Sequence, residues 1–191
     1  MHLICNKSSA MAVIPLQLLL KSSPIKIRTF VDSDGNIPLF CAIESLNHSI
    51  CRELLTDYVK EQVSYANADG ENCVHIAVKK KDLEMLRLLS EHGANFDHQN
   101  KDGDTILHYA CQHGMDNFVR FLHSIRVDPN LKNKDEETPL HIATQEGNHK
   151  IVEMLVEKFK ASVHERTKVQ VPHHVLISRS AISCHLLFKQ A

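Results

Sequence analysis

Three histidines, His75, His108 and His141, follow one another at intervals of 33 residues, and histidines at regular spacing could serve as ligands of a metal ion. If each one occupies the same place in a repeated structural unit, neighbouring histidines lie roughly 10 Å apart, the usual distance between packed helices. Side chains at that separation cannot bind one metal ion together. The spacing therefore predicts a repeat protein in which each histidine has a structural role.

Other residues with reactive side chains give no catalytic or metal-binding pattern. Cys111 and His113 lack two further ligands at zinc spacing. A calcium loop of about 12 residues beginning at Asp32 would need its bidentate glutamate where Ile43 stands. The sequence contains neither a glycine-rich phosphate loop nor a GxSxG motif. We therefore predict that the protein is not an enzyme, with no catalytic residue, no metal site and no cofactor.

The elements that must position the histidines are short helices. Ahead of His141, Thr138 suits the N-cap of a helix and Pro139 suits its first position. This pattern and its period resemble the ankyrin repeat, which implies an all-α solenoid of stacked helix-turn-helix units with finger loops. The resemblance also implies that each histidine bonds to the threonine three residues before it and to loop backbone. His141 with Thr138 and His108 with Thr105 fit this arrangement.

The repeat register divides the chain into three parts. Residues 31–168 are predicted to hold four repeats, at about 31–66, 67–99, 100–132 and 133–166. Residues 1–30 are interpreted as a partial preceding repeat with its second helix at about 14–21, and residues 169–191 as a degenerate half-repeat or an irregular tail. Apolar residues on the second helix of a repeat cannot all be buried within that repeat, so neighbouring repeats must stack to form a core.

Two departures from the repeat predict local differences. The turn before the inner helix contains Asp-Gly in the first three repeats, whereas Glu136 takes the glycine position in the fourth. That turn should be more strained or differently shaped, because glycine accepts positive φ more readily than other residues. The interval from Ala42 to Ala77 is 35 residues instead of 33. We expect residues 58–65 to absorb this insertion in a loop.

Charge and cysteine content narrow the classes of function. The chain has 22 Lys and Arg residues against 23 Asp and Glu residues, so no overall positive field favours nucleic acid or an anionic membrane surface. Its six cysteines lack CxxC spacing, which indicates reduced, buried thiols of a cytoplasmic protein. Residues 10–20 could form a signal-peptide core, but the register favours a helix there, and no stretch reaches the ~20 apolar residues of a membrane span. We predict a cytoplasmic protein without nucleic-acid binding and without membrane insertion by this segment.

A second resemblance is carried by residues outside the ankyrin consensus, at 37–39, 42, 44, 47, 49, 51–55, 158–162 and 165–168. With them, residues 14–168 resemble the long cytoplasmic ankyrin domain of NOMPC-type (TRPN) mechanosensory channels, a pattern from which residues 169–191 depart. The resemblance implies an elastic tether that couples cytoskeletal movement to a cation pore. We therefore predict a protein-binding and mechanical tether module, a fragment of such a channel, with a cytoskeletal protein as its partner. The alternatives are a free-standing soluble ankyrin adaptor and a domain attached to an enzyme such as a kinase.

The predicted binding face consists of the finger tips and the exposed ends of the inner helices, because stacking buries the other helix faces. Its inner-helix residues are Lys79, Lys80, Lys81, Gln112, His113, Gln145 and Glu146, and its finger residues are Asn100, Lys101, Asn133 and Lys134. The face runs from basic in the second repeat to acidic in the fourth. Such a gradient could orient a bipolar partner or simply keep the surface soluble.

Overall fold

The computed structural model describes residues 31–33, 35–56, 59–163, 165 and 167–168. Regular secondary structure in this part of the chain is helical, apart from one isolated antiparallel bridge between Ala66 and Asn72. The prediction of an all-α fold is confirmed. Of the helices described, none combines the length and the apolar composition needed to cross a membrane. The partial repeat predicted in residues 1–30 and the tail predicted in residues 169–191 lie outside the described residues.

The chain divides between His98 and Gln99 into two compact units. We call the first helix of each helix pair inner and the second outer. The helices of the first unit are α1 (Pro38–Glu44, inner), α2 (His48–Leu54, outer), α3 (Val59–Ser64), α4 (Cys73–Lys79, inner) and α5 (Leu83–Glu91, outer). Those of the second unit are α6 (Ile106–Gln112, inner), α7 (Asp116–Ser124, outer), α8 (Pro139–Gln145, inner) and α9 (His149–Glu157, outer). The exact boundaries of the four repeats stay a prediction.

The inner helices form the centre of each unit. In the first unit α1 packs against α4, and in the second unit α6 packs against α8. All side chains from residue 73 to residue 78 of α4 are buried, whereas the outer helix α5 buries only Met85, Leu86 and Leu89. Burying an apolar side chain of this size contributes about 2 kcal/mol. The inner helices are therefore accessible mainly at their C-terminal ends, where most of the predicted binding residues lie.

The insertion in the first repeat forms a helix, so the prediction of a loop is wrong for residues 59–64. Two buried side chains explain α3. Gln62 donates from Nε2 to the carbonyl oxygen of Leu54 at 2.7 Å, and Val63 packs in the core. These contacts join α3 to the end of α2 and order residues that a repeat pattern leaves unassigned. Tyr58, which the prediction also included, lies outside the described residues.

The cysteines of the described residues, Cys41, Cys51, Cys73 and Cys111, are thiols and not disulfides. Three are buried and Cys41 is half-buried. Burial raises the pKa of Cys73 to about 12 and raises that of Cys111 as well. A thiol with a raised pKa is a poor nucleophile, and these side chains pack as small apolar groups.

Candidate functional site

The histidines of the second unit cap the inner helices. The backbone N–H of Thr105 donates to Nδ1 of His108 at 3.1 Å, and the threonine Oγ1 lies 2.8 Å from the same nitrogen. Thr138 and His141 repeat this arrangement at 3.0 Å for both contacts. The hydrogen bonds predicted for these two pairs are therefore present. Each pair forms a reciprocal capping box at the start of its helix.

The bonding of His108 fixes its neutral tautomer. Because Nδ1 accepts the backbone N–H of Thr105, the ring proton is on Nε2. Nε2 donates to the carbonyl oxygen of Glu137 at 3.1 Å, in the finger of the next repeat. The histidine thus caps its own helix and bonds to the backbone of the following repeat within the unit.

The equivalent histidine of the first unit is bonded differently. His75 follows Asn72 instead of a threonine, and its Nδ1 lies 2.7 Å from Oδ1 of that asparagine. An amide oxygen has no proton to donate, so here Nδ1 carries the proton. The same Oδ1 accepts from the backbone N–H groups of Val74 and His75, and the asparagine Nδ2 donates to the carbonyl oxygen of Asn95 at 2.9 Å. Asn72 therefore caps α4 and fixes its histidine at once.

Burial keeps the two capping histidines of the second unit, His108 and His141, neutral. It lowers the pKa of His141 to about 4, against the opposing effect of a hydrogen bond with the Glu165 backbone. It also lowers the pKa of His108, which the carbonyl oxygen of Glu137 partly offsets. Among the described residues, no group of three or more His, Cys, Asp or Glu side chains is arranged to hold a metal ion. Capping is the role that the geometry gives these rings.

The finger turns share one hydrogen-bond pattern. The side-chain oxygens of Asn67, Asn100 and Asn133 each accept from the backbone N–H groups two and four residues later, at 2.9 to 3.0 Å. Asn67 and Asn133 also donate from Nδ2 to the preceding finger of their unit, at Asn36 Oδ1 (3.2 Å) and Asp104 Oδ1 (3.0 Å). Two of the predicted binding residues, Asn100 and Asn133, therefore have side-chain oxygens that are occupied inside their own turns.

The turn of the fourth finger has the same shape as the others. Of the two predicted alternatives for this turn, a different shape is therefore wrong and a strained backbone is correct. Glu136 adopts φ 59°, close to the φ 79° of Gly103 in the third finger. Its N–H donates to the carbonyl oxygen of Asn133 at 3.0 Å, as that of Gly103 does to Asn100. The backbone pattern is strong enough to hold a glutamate in a conformation that favours glycine.

The other predicted binding residues are exposed, and the structure distributes them between the two units. Lys79, Lys80 and Lys81 lie in the first unit, and the remaining ones in the second, at finger tips or inner-helix ends. Some have intramolecular partners. Lys79 forms an ion pair with Glu71, Gln145 donates to Glu137 Oε1 at 2.8 Å, and the His113 ring packs edge-on against Tyr109 with centroids 4.2 Å apart. The binding of a partner by these residues stays a prediction.

Lys79 and Lys80 contribute to a groove in the first unit. Its volume is about 350 Å³, and it lies between the finger turns and the C-terminal ends of the inner helices. The lining residues are Asn36, Glu44, Asn67, Asp69, Glu71, Ile76, Lys79 and Lys80. Lys81 is separate from this groove, because it forms the turn between α4 and α5 with φ 57°.

The sequence prediction missed the acidic residues of this groove. Glu44, Asp69 and Glu71 line it together with the two lysines, so this groove carries both signs of charge. Glu44 occupies the same register position as Lys79, one repeat earlier, and the two residues close their inner helices in the same way. The register was therefore the signal that could have identified it.

Parts of the chain match known ankyrin-repeat sequences. A model of ankyrin repeats in three copies matches residues 59–133, and a single ankyrin repeat matches residues 135–168, together more than half of the chain. A protein of Acanthamoeba polyphaga mimivirus described as an ankyrin repeat protein is 34% identical over 73 residues. That match covers 38% of this chain and 9% of the viral protein, so the chain spans a small part of this relative's length. The matches do not distinguish a channel domain from a free-standing protein.

Proposed function

Because this chain belongs to the ankyrin-repeat family, we propose that it binds a protein partner on the face formed by its finger turns and the C-terminal ends of its inner helices. Ankyrin repeats serve protein–protein interaction and are typically not enzymes. We also propose that this chain has no catalytic activity of its own. Its buried histidines are bonded within helix caps, and the thiols of Cys73 and Cys111 have raised pKa values that make them poor nucleophiles.

The observation that carries the proposal is the contrast between the two ends of the inner helices. Their N-terminal ends are capped and buried, as Thr105 and Thr138 show with exposed fractions of 1% each. Their C-terminal ends present exposed polar side chains such as Lys80, Gln112 and Gln145 next to the finger turns. In the first unit this arrangement produces a groove lined by both signs of charge. A polar, concave and rigidly supported surface suits recognition of a protein segment.

Selection of peptides tests this proposal. Random peptides displayed on phage are selected on the immobilised chain, and the affinities of the selected peptides are measured by fluorescence anisotropy. We expect Lys80→Glu or Gln145→Lys, one substitution in each unit, to weaken binding at least tenfold. The matched controls Glu91→Lys and Arg120→Glu change exposed charges on the outer helices α5 and α7 and should leave affinity unchanged. Loss of binding only in the outer-helix variants would contradict the proposal.

The finer proposal is a tether in the cytoplasmic ankyrin domain of a mechanosensory channel, with a cytoskeletal protein as the partner. Its support is the resemblance over residues 14–168 and the packing of the described helices, in which each inner helix contacts its neighbour along a short interface. A solenoid of this kind bends by small shifts at many interfaces. A cytoplasmic location is part of this proposal, and the thiols of the described cysteines suit a reducing compartment.

A free-standing adaptor is the second candidate, and the observation in its favour is the polar groove, which needs no membrane domain to recognise a partner. Sequencing of full-length transcripts across the codon for Lys168 separates the two. A reading frame that continues into further repeats and six membrane spans would support the channel. A stop codon directly after Ala191 would favour the adaptor.

A further inference from the structure

We propose that mild acid opens the second unit and leaves the first unit folded, because the caps of their inner helices depend differently on the protonation of histidine. In the second unit the caps of α6 and α8 each use an unprotonated ring nitrogen as an acceptor. In the first unit the cap of α4 is made by an asparagine. One repeat motif thus gives an acid-sensitive unit and an acid-tolerant unit.

Protonation removes the acceptor on which each cap of the second unit depends. Nδ1 of His108 accepts from the backbone N–H of Thr105 at 3.1 Å, and Nδ1 of His141 accepts from that of Thr138 at 3.0 Å. An imidazolium ring has a proton on both nitrogens and accepts no hydrogen bond. Protonation would therefore point a ring N–H at a backbone N–H, in caps whose threonines are only 1% exposed.

The surroundings of both rings resist a positive charge. Burial lowers the pKa of His108 and lowers that of His141 to about 4. Because an unfolded histidine takes up its proton near pH 6.5, the contribution of these rings to stability is present above that pH and is lost as the pH falls towards 4. The charged groups that face the rings do not reverse this effect; they are Asp104 and Glu137 at His108, and Lys132, Glu165 and His108 at His141.

The cap of α4 in the first unit does not need an unprotonated ring. Oδ1 of Asn72 accepts from the backbone N–H groups of Val74 at 3.1 Å and of His75 at 3.2 Å. The His75 ring donates to the same oxygen from Nδ1 at 2.7 Å. A second proton on this ring leaves that bond in place, because Nδ1 already carries a proton.

Two further histidines of the first unit also face acceptors and not donors. Nε2 of His98 lies 2.9 Å from the carbonyl oxygen of Gly70. The ring of His48 has Oδ2 of Asp82 at 2.5 Å from Nε2 and Oε2 of Glu84 at 3.5 Å from Nδ1. A doubly protonated ring at this position therefore has a carboxylate oxygen for each nitrogen. Acidification keeps these contacts.

The opening has a consequence for the proposed binding face. The C-terminal ends of α6 and α8 carry Gln112 and Gln145, so acid would remove the part of the face that belongs to the second unit. This consequence rests on the proposed function. The opening itself does not, and it is measured without a partner.

Amide hydrogen exchange, measured by NMR at pH 7 and pH 5, tests the proposal on the parent chain. The reporters are Ile76, Tyr109 and Ile142, whose N–H groups bond to the carbonyl oxygens of residues 72, 105 and 138 at the same position of three inner helices. Dividing each rate by that of the same amide in an unstructured peptide at the same pH gives the opening constant. We expect the constants of Tyr109 and Ile142 to rise at least about tenfold at pH 5, and that of Ile76 to change less than about threefold.

Two matched variants move the acid sensitivity between the units. In His108→Gln/His141→Gln the new side chains can complete a capping box but do not titrate, so the rise at Tyr109 and Ile142 should disappear. Asn72→Thr gives the first unit the threonine of the second-unit caps and should make the opening at Ile76 acid-sensitive.

Protection at pH 7 shows whether each variant is folded, and if Asn72→Thr is not, the parent chain and the glutamine variant decide. The proposal is overturned if all three amides of the parent chain respond alike, if those of the second unit do not respond, or if the glutamine variant keeps the response of the parent. None of these results touches the proposed function, because the peptide selection that tests it is made at pH 7.

Discussion

The two units meet the same structural requirement with different chemistry at the N-caps of their second outer helices. In the first unit Oδ1 of Asp82 caps α5 by accepting from a backbone N–H of that helix. Oδ2 of the same residue lies 2.5 Å from Nε2 of His48 in the preceding repeat. In the second unit Asn148 begins α9 and donates from Nδ2 to the carbonyl oxygen of Cys111 at 2.8 Å. Both side chains connect a helix start to the repeat before it. One connection has a carboxylate and an ionisable ring, and the other is neutral.

The capping histidines show the same contrast. His75 donates from Nδ1 to an asparagine, whereas Nδ1 of His141 accepts from Thr138. The repeat thus specifies where a polar group must be satisfied, and leaves open which atom carries the proton. The stability of the two units should therefore respond differently to substitution, pH and loss of a connecting side chain.

The largest effect is expected where the two units are alike. Leu140 of α8 is fully buried, and Leu140→Asp would place a charge without a partner in the apolar core of the second unit. We expect a loss of more than about 4 kcal/mol and no cooperative melting of the second unit. Circular dichroism during heating and hydrogen exchange of the α6 and α8 amides provide the measurement. The exposed change Glu146→Gln is the control, and a melt identical to that of the parent would refute the packing described.

A pH titration separates the two capping histidines. The pKa of His141 is about 4 in the folded chain and near 6.5 when unfolded, so between these values the unfolded chain binds more protons. Its contribution to stability is therefore present above pH 6.5 and is lost as the pH falls towards 4. Between pH 7 and pH 5 we expect urea unfolding to show a loss of about 2 kcal/mol from this residue.

The variant His141→Gln is the matched control for that titration. A glutamine at the third helical position can complete a capping box with Thr138 but does not titrate. The variant should fold, and the part of the pH dependence that comes from residue 141 should disappear. An unchanged slope of stability against pH would mean that this histidine is not kept neutral by burial.

The connections between repeats can be compared directly by removing one side chain in each unit. We expect His48→Ala to destabilise the first unit by about 2 kcal/mol, because it leaves the carboxylate of Asp82, only 6% exposed, without this partner. Asn148→Ala removes a hydrogen bond between neutral groups and should cost about 1 kcal/mol in the second unit. Urea denaturation followed by hydrogen exchange assigns each loss to its unit. Equal losses would show that the charge of Asp82 is unimportant at this position.

The sequence predicts those features of the fold that recur in every repeat. The period of the histidines and the Thr-Pro start before His141 were enough to predict the helices and their caps. Features outside the register were missed. The helix α3 depends on contacts of Gln62 and Val63 with other elements, which no local pattern shows. The proton position on His75 follows from how its ring is placed against Asn72, and residue types alone do not give that.

The groove of the first unit shows a second limit of prediction from sequence. Glu44 aligns with Lys79 in the repeat register, but the predicted binding face takes its inner-helix ends from the second, third and fourth repeats and leaves out the first. Only the fold places Glu44, from the end of α1, beside Asp69 from the following finger. The sequence prediction therefore named the two lysines of this groove and missed its three acidic residues, and binding at this face stays a prediction.

Two fingers of the second unit differ in the residue at the tip of the turn, and substitutions at these two positions should change stability in opposite directions. Glu136 adopts φ 59° in a turn where the third finger has Gly103. Glu136→Gly should stabilise the chain by about 1 kcal/mol, because the strain of a left-handed glutamate exceeds the entropy that glycine gains on unfolding. Gly103→Ala should do the reverse and destabilise it by about 2 kcal/mol. Its Cβ would lie 2.9 Å from the backbone nitrogen of Lys134 and 3.0 Å from Cα of Asn133, and backbone atoms cannot move aside easily.

The two finger substitutions together test whether the hydrogen bonds of the asparagine turn, and not the residue at its tip, determine the finger's shape. If they do, Glu136→Gly changes stability in urea denaturation while the hydrogen-exchange protection of the Asp135 and Glu137 amides, which bond to Asn133, stays the same. If the glutamate itself holds the turn, protection of those amides falls in the glycine variant. The second result would mean that the fourth finger is maintained by its side chain and would break the equivalence between it and the third.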